Sequence, residues 1–365
     1  MLTNAPAEEL LFYNALPRVE IDGHEESMAA VLLQSMEMTE SEGGLSSLEM
    51  SFRNAGNVEN SGNEMPFETI ANTRIALGAE LRVVTGPHHD PQEIFTGRVT
   101  GLELVLDGAE VPRLVVLAED ALQTARLQRR TRLHPPGSLG ELADAVARES
   151  GLVVVAAELE QGLGPEFQCN ETDLGFLRRV CARFDVDFQI VGSELHISPR
   201  ALVDRGRRTA EFGQTLTSFR ALADLAEQVS EVTMSGWDHA ANAPFDVASG
   251  PGVQAGEGEG GKGPAYLAEH FAPRSEHIGE IVVADAAEGQ AVADAMHSAR
   301  LRRFVSAEGT VTGDPGLRVG TLLDVTNVGP RFENTYYVTH AQHRFSRDES
   351  GYVTDFRAEC AFWRG

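Results

Sequence analysis

Glu166-Phe167-Gln168-Cys169-Asn170-Glu171-Thr172-Asp173-Leu174-Gly175-Phe176-Leu177-Arg178-Arg179-Val180 is the stretch on which the fold turns. Leu174, Leu177, Cys181 and Phe184 fall on one stripe, which predicts a helix over 172–184. Thr172 or Asn170 can cap it, and Asp173 puts a carboxylate in the first turn, near the positive end of the helix dipole. Phe176, Leu177 and Val180 are core residues. Gln168, Asn170, Glu171 and Arg178 are not apolar, and two roles are open to them: holding the preceding turn by hydrogen bonds, or touching a neighbouring subunit. Downstream, the runs 188–191 and 194–198 flank Gly192-Ser193, which is hairpin chemistry. Upstream, Ser138 followed three residues later by Glu141 is a capping box, with Leu139, Leu142, Ala143, Val146 and Ala147 on the buried side and Gly151 ready to end the helix. Residues 133–204 are therefore expected to form a small α+β domain.

On both sides the period changes to two, the spacing of strands with one buried face. Before the middle segment, strand character runs through 18–22, 47–52, 80–84, 94–106 and 113–117, with a helix expected over 118–130 to close a first domain, 1–132. The polar stretch 54–66 is expected to be a mobile loop or long hairpin tip. After the middle segment, the third domain, 205–365, opens with a strand over 229–237. An irregular Gly/Ala/Pro-rich loop over 240–264 follows, then a helix over 286–303 with Val292, Ala295, Met296 and Ala299 inward. Strands are expected over 305–312, 321–328, 335–345 and 352–363, separated by turns such as Gly313-Asp314-Pro315-Gly316 and Asp348-Glu349-Ser350-Gly351. The fold class is β-rich α+β.

Composition narrows function. The chain has 365 residues, 30 Lys+Arg against 55 Asp+Glu, a formal charge of −25 and 42% hydrophobic residues. That is enough for buried cores in two or three domains of about 150 residues each. Residues 1–66 hold twelve acidic side chains and only Arg18 and Arg53 as basic ones, so stable binding to a phosphate backbone is disfavoured. No apolar run approaches the roughly 18 residues of a spanning helix, and the N-terminus lacks the basic and apolar regions of a signal peptide, so membrane insertion and export are not expected. Cys169, Cys181 and Cys360 are expected to be free and mostly buried. Arginines cluster at Arg126, Arg129, Arg130 and Arg132, at Arg205, Arg207 and Arg208, and at Arg300, Arg302 and Arg303. Each cluster reads either as a solvated element end or as a contact with an acidic neighbour.

Catalytic and cofactor signatures are weak. Gly256, Gly258, Gly261 and Lys262 approximate phosphate-binding motifs, but Gly263 stands where a Ser/Thr hydroxyl is needed, Glu257 and Glu259 would face the phosphates, and Pro264 interrupts the expected helix start. His88-His89 sits in turn chemistry, and His340 and His343 on a strand point to opposite faces, so no metal is expected. There is no G-x-S-x-G elbow and no H-E-x-x-H. No catalytic residue and no cofactor are assigned.

Taken together, four stretches resemble the baseplate hub family of contractile tails, which includes phage late control protein D and the N-terminal hub part of type VI valine-glycine repeat spike proteins. They are Phe95-Thr96-Gly97-Arg98-Val99-Thr100-Gly101-Leu102 with the following 114–122 and 126–132, the 166–180 stretch, Gly236-Trp237-Asp238, and 320–343. The resemblance implies two tail-tube-like β-barrel domains around the small α+β domain, and a homotrimer that presents six barrels. It implies partners too: a spike protein on one face, the inner tube protein on the other, and baseplate wedge components. It would place the protein, made in the cytoplasm, in a phage tail or injection particle. Subunit or partner contacts are then expected from Arg126, Arg129, Arg130, Arg132, Gln168, Asn170, Glu171 and Arg178. An acidic trimer lumen is a further expectation. The sequence ends at Trp363-Arg364-Gly365 without valine-glycine repeats, so a spike tip is expected to be a separate polypeptide. The function expected is a non-enzymatic structural hub; a soluble β-rich cell-wall hydrolase and a monomeric ligand-binding module are the alternatives.

Overall fold

The structure, a computed structural model, describes residues 16–54, 74–86, 90–108, 111–250, 252–348 and 351–365. The expected 54–66 loop beyond Asn54, the His88-His89 pair and residues 349–350 of the last turn lie outside the described residues. Strands of four or more residues, numbered in chain order, are β1 Arg18–Ile21, β2 Leu33–Ser41, β3 Ser47–Arg53, β4 Glu80–Thr85, β5 Gln92–Val105, β6 Arg113–Glu119, β7 Arg129–His134, β8 Val153–Ala156, β9 Glu166–Thr172, β10 Val186–Val191, β11 Glu194–Pro199, β12 Arg207–Glu211, β13 Leu216–Ala223, β14 Glu231–Asp238, β15 Ala243–Ala248, β16 Ser275–Ile278, β17 Val305–Thr312, β18 Leu322–Thr326, β19 Asn334–Ser346 and β20 Gly351–Cys360. The helices are α1 Ser27–Leu32, α2 Gln123–Arg126, α3 Leu139–Glu149, α4 Asp173–Arg183, α5 Gly263–His270 and α6 Ala286–Arg302.

Strands from the two ends of the chain share one 13-stranded sheet, in which the order β13-β17-β20-β19-β2-β3-β6-β5-β4-β1 is antiparallel throughout. Two separate closed barrels were the expectation. Among the described residues no ring of hydrogen-bonded strands closes, because β2 pairs with β19 over Ser35–Ser41 and carries the first half's sheet into the second. Each half keeps its own core on one side of this sheet. One is built around Met36, Met38, Met50, Phe52 and Phe95, the other around Phe304, Tyr336, Val338 and Phe356.

The middle segment packs α3 and α4 against the small sheet β8-β11-β10, with Phe176, Leu177, Val180, Phe188 and Ile197 in the core. Ser138 and Glu141 form the predicted capping box of α3, and Thr172 caps α4 by accepting the Gly175 N–H at 3.1 Å. The helix expected over 118–130 is corrected. β6 continues to Glu119, where the carboxylate of Asp120 accepts the Ser46 N–H at 2.6 Å and the Leu122 N–H at 2.9 Å. This ties the chain into a tight turn, α2 lasts one turn, and Arg129 already begins β7, paired with β9.

Residues 240–264 are also more ordered than an irregular loop. β15 pairs along β14 from Thr233 to Asp238, and the following turn is held to α6 by the Gly250 N–H on Asp294 (2.6 Å) and the Gln254 N–H on Ser298 (2.8 Å). Pro264 does not interrupt a helix; it lies in the first turn of α5, where a missing N–H costs nothing. Cys169 is exposed rather than buried, because it points outward from the β7–β9 ribbon, whereas Cys181 and Cys360 are buried.

Candidate assembly interface

The sheet path from β13 to β5 contains eight strands, and both its ends are open. Among the described residues, β13 has a ladder with β17 alone, besides an isolated bridge from Leu216 to Phe212, and β5 loses β4 beyond Arg98, so its outer side meets no described strand from Thr100 to Val105. An open edge is a template for another strand. Here the edges also carry apolar side chains: Leu102, Leu104 and Leu106 at one end and Leu222 at the other are exposed.

Residues opposite one another in a ladder share a face, so the register defines which side chains stand on the face away from the cores. Along the path from β13 to β5 it carries Glu37, Glu49, Glu93, Glu103, Glu119, Glu308, Asp355 and Glu359 against Arg53, Arg98, Arg113, Arg220, Arg344 and Arg357. Eight carboxylates against six guanidiniums leave −2 on this face of a chain carrying −25. Several are paired side by side: Arg220 with Glu308 at 3.1 Å, Arg344 with Asp355 at 2.5 Å, and Gln342 donating to Glu37 at 2.7 Å. Small hydroxyls such as Ser35, Thr39, Ser41 and Ser47 fill the spaces between.

The signature stretch builds a polar knot under the β7–β9 ribbon. Gln168 is fully buried; its amide donates to Asp173 at 2.9 Å and to the Glu171 carbonyl at 3.1 Å, while its oxygen accepts from Arg132 at 2.8 Å. Asp173 also receives Arg130 at 3.0 Å and Arg132 at 3.1 Å, and Glu149 of α3 pairs with both arginines. His134 stacks on Phe176 with ring centres 4.9 Å apart, and burial lowers its pKa. Of the residues singled out from sequence, then, Arg130, Arg132 and Gln168 join one internal network. Arg126 pairs with Glu119, and Glu171 with Arg179. Asn170 bulges out of β9 with φ of 49°, and Arg129 donates to its carbonyl at 2.8 Å.

Arg178 acts elsewhere. Its guanidinium donates to the carbonyls of Gly43 (2.8 Å) and Gly44 (2.6 Å), gripping the β2–β3 turn, whose Gly43 N–H donates to Asp187 at 2.7 Å. Gly44 has φ of 68°, and a Cβ there would lie 2.4 Å from Leu122, so only glycine fits. Glu42 of the same turn pairs with Arg200 at 2.7 Å beside a cavity of about 340 Å³ lined by Asp185, Asp187, Arg302 and Glu359 among others. Burial pushes the Glu42 carboxyl up to about 7 against the pull of Arg200, and Asp120 up to about 6 against its two backbone donors. These carboxyls had no sequence signal; they are defined only by the turn's docking onto the middle segment.

A second lock joins the two ends of the chain. Glu40 of β2, 2% exposed, receives Arg318 at 2.6 Å and the Val319 N–H at 2.5 Å, and Arg318 also donates to the Ile94 carbonyl at 3.0 Å. Next to it His343 is fully buried, bonded to the Tyr352 hydroxyl at 2.8 Å, with its pKa lowered by burial to about 3. Among the described residues no group of three His, Cys, Asp or Glu is placed to hold a metal ion, and no helix is long and apolar enough to cross a membrane.

Comparison with known proteins places this architecture. The model of the family described as Alg8 N-terminal domain matches residues 57–347. The chain belongs to that family. The Alg8 N-terminal domain match therefore includes the middle segment and the whole of the β19 strand that joins the halves. No curated protein matches the chain. Solved structures share its fold. The 43 kDa tail protein of prophage MuSo2 from Shewanella oneidensis is 17% identical over 94% of this chain and 98% of its own, with a TM-score of 0.64. The tail protein of Neisseria meningitidis MC58 is 14% identical, over 95% and 97%, with a TM-score of 0.62. The E. coli c3393 protein, a type VI secretion component similar to T4 tail proteins gp27 and gp5, is 11% identical over 94% and 76%, with a TM-score of 0.55. The fold is thus the one found in phage tail proteins and a type VI secretion component.

Proposed function

We propose that this chain is a non-enzymatic structural hub whose three copies form a ring joining an inner tail tube to a spike in a contractile tail or tail-like injection particle. The observation that carries the reading is the eight-strand path with an open, leucine-bearing strand at each end. If β13 of one copy pairs with the free stretch of β5 in the next, three copies of eight strands make a closed barrel of twenty-four and neither end of the eight-strand path remains exposed. In this reading the divisions 1–132, 133–204 and 205–365 are the functional units. Each outer unit lends four strands to the ring, so a threefold assembly presents six similar modules to a sixfold tube. Spike, tube protein and wedge components are the proposed partners.

The face that would line such a barrel carries a small net negative charge, −2 per chain, so in this reading the lumen is weakly rather than strongly acidic. Side-by-side ion pairs and hydroxyls suit passage of cargo by leaving little net field to attract either sign.

Light scattering tests the ring. A solution mass of 118.2 kDa, three times the 39.4 kDa chain, is expected. Leu104→Glu with Leu222→Glu is expected to give monomers of unchanged circular dichroism. A wild-type monomer at every concentration and salt, or a double variant that stays trimeric, overturns the reading.

A further inference from the structure

The β7–β9 ribbon has a second face that neither the hub ring nor the polar knot uses. Leu133 and Phe167 stand directly opposite one another on it, 66% and 52% exposed, with Thr131 and Cys169 as the adjacent pair. Among the described residues the ribbon has two strands, and none of them pairs along the other side of β7. Two exposed large apolar side chains beside an open edge are a liability in a free protein, and native proteins cover or blunt such edges.

The ribbon is also rigid. Its inward side chains, Arg130, Arg132, His134, Glu166 and Gln168, are fixed by the buried network, so a partner meets a preformed surface and loses little in ordering it. The charge on the rim points to the partner's chemistry. Arg129 lies on the same outward face as Leu133, four residues away and about 13 Å along the strand. It is exposed, its guanidinium donates to a backbone carbonyl, and among the described residues no carboxylate pairs with it.

We propose that the outer edge of β7 receives an extended segment of another protein as a third strand. That segment places an apolar residue against Leu133 and Phe167 and, four positions away, a carboxylate against Arg129. The repeat of backbone donors and acceptors along an open edge is matched by a strand and not by a lipid or small solute, which favours a polypeptide. The occupant is a different chain, because the ring already employs the edges by which copies of this chain would meet.

The inference rests on the hub reading, and the test separates the two. Cys181 and Cys360 are buried, so iodoacetamide should label Cys169 alone in the folded protein. Labelling is compared between the isolated trimer and the particle purified from producing cells. In parallel, p-benzoylphenylalanine at position 167 is photo-crosslinked in the particle and the product mapped by mass spectrometry. Expected are at least tenfold slower alkylation in the particle and a crosslink to an extended, acidic and apolar segment of another protein. In Arg129→Glu that crosslink should fall at least tenfold while the trimer mass stays the same. Equal alkylation rates, a crosslink to another copy of this chain, or an Arg129→Glu variant that crosslinks normally overturns the inference. Absence of the chain from any particle overturns the hub reading instead.

Discussion

Removing the Glu40 carboxylate tests how the two ends of the chain are held together. In Glu40→Ala, Arg318 keeps only the Ile94 carbonyl, and the Val319 N–H loses its acceptor. Breaking a buried pair by deleting one partner costs about 3–5 kcal/mol, because the other charge is left uncompensated. The structure favours the upper half of that range: the Glu40 side chain is 3% exposed and that of Arg318 21%, so water can rescue little. Glu40→Met combined with Arg318→Met should be less destabilised than either single change, since the desolvation penalty vanishes with both charges. Burial alone would raise the Glu40 pKa, but the charge and hydrogen bonds of Arg318 overcome it and hold it below the usual carboxylate value. Stability from this pair is therefore present above the ordinary carboxylate pKa and lost as pH falls through the lower, folded one. Urea titration of the wild type, Glu40→Ala, the two Met single variants and the double variant, followed by circular dichroism, gives the free energies. A cost for Glu40→Ala below about 1 kcal/mol, or a double change equal to the sum of the singles, would refute the argument.

Glu42 and Asp120 shift the opposite way, so their contribution is complete below the ordinary carboxylate pKa and lost as pH rises through about 6 to 7. The melting temperature should fall between pH 5 and 8, and Glu42→Gln should flatten that slope; an unchanged slope counts against it. Ser138→Ala removes the α3 cap and should cost about 1 kcal/mol by urea midpoint, and an effect below a few tenths would mean that the capping box contributes nothing. Gly44→Ala combines a positive φ with a clash on Leu122 and should cost more than about 1 kcal/mol; a neutral result would show that the β2–β3 turn can move.

Local signals in the sequence carried far. The capping box at Ser138 and Glu141, the Leu174–Phe184 stripe and the alternation over 305–312 correspond to α3, α4 and β17, because each is specified by neighbours a few residues away. The helix expected over 118–130 gives way to a strand at Arg129 that the sequence does not mark, because the inward residues of β7 are polar. Arg130 and Arg132 face Asp173 more than forty positions later, and no hydrophobic alternation marks the strand. The eight candidate contacts were visible as residues, but not their division into an inner network and an outer rim, which depends on the β7–β9 register and the bulge at Asn170. The open edges and the weakly charged sheet face were likewise invisible, since both follow from which distant strands pair.

The pairing of β2 with β19 has a consequence for biosynthesis. Glu37 and Gln342, bonded across that seam, are 305 residues apart, so the edge of β2 leaves the ribosome long before its partner exists. At about 5–20 residues per second that interval is roughly 15 to 60 seconds, during which a nascent chain displays an unpaired strand to every other chain on the same message. Polysomes translating this protein are thus where mispairing between copies has its best opportunity, and where a chaperone that shields strand edges would matter most.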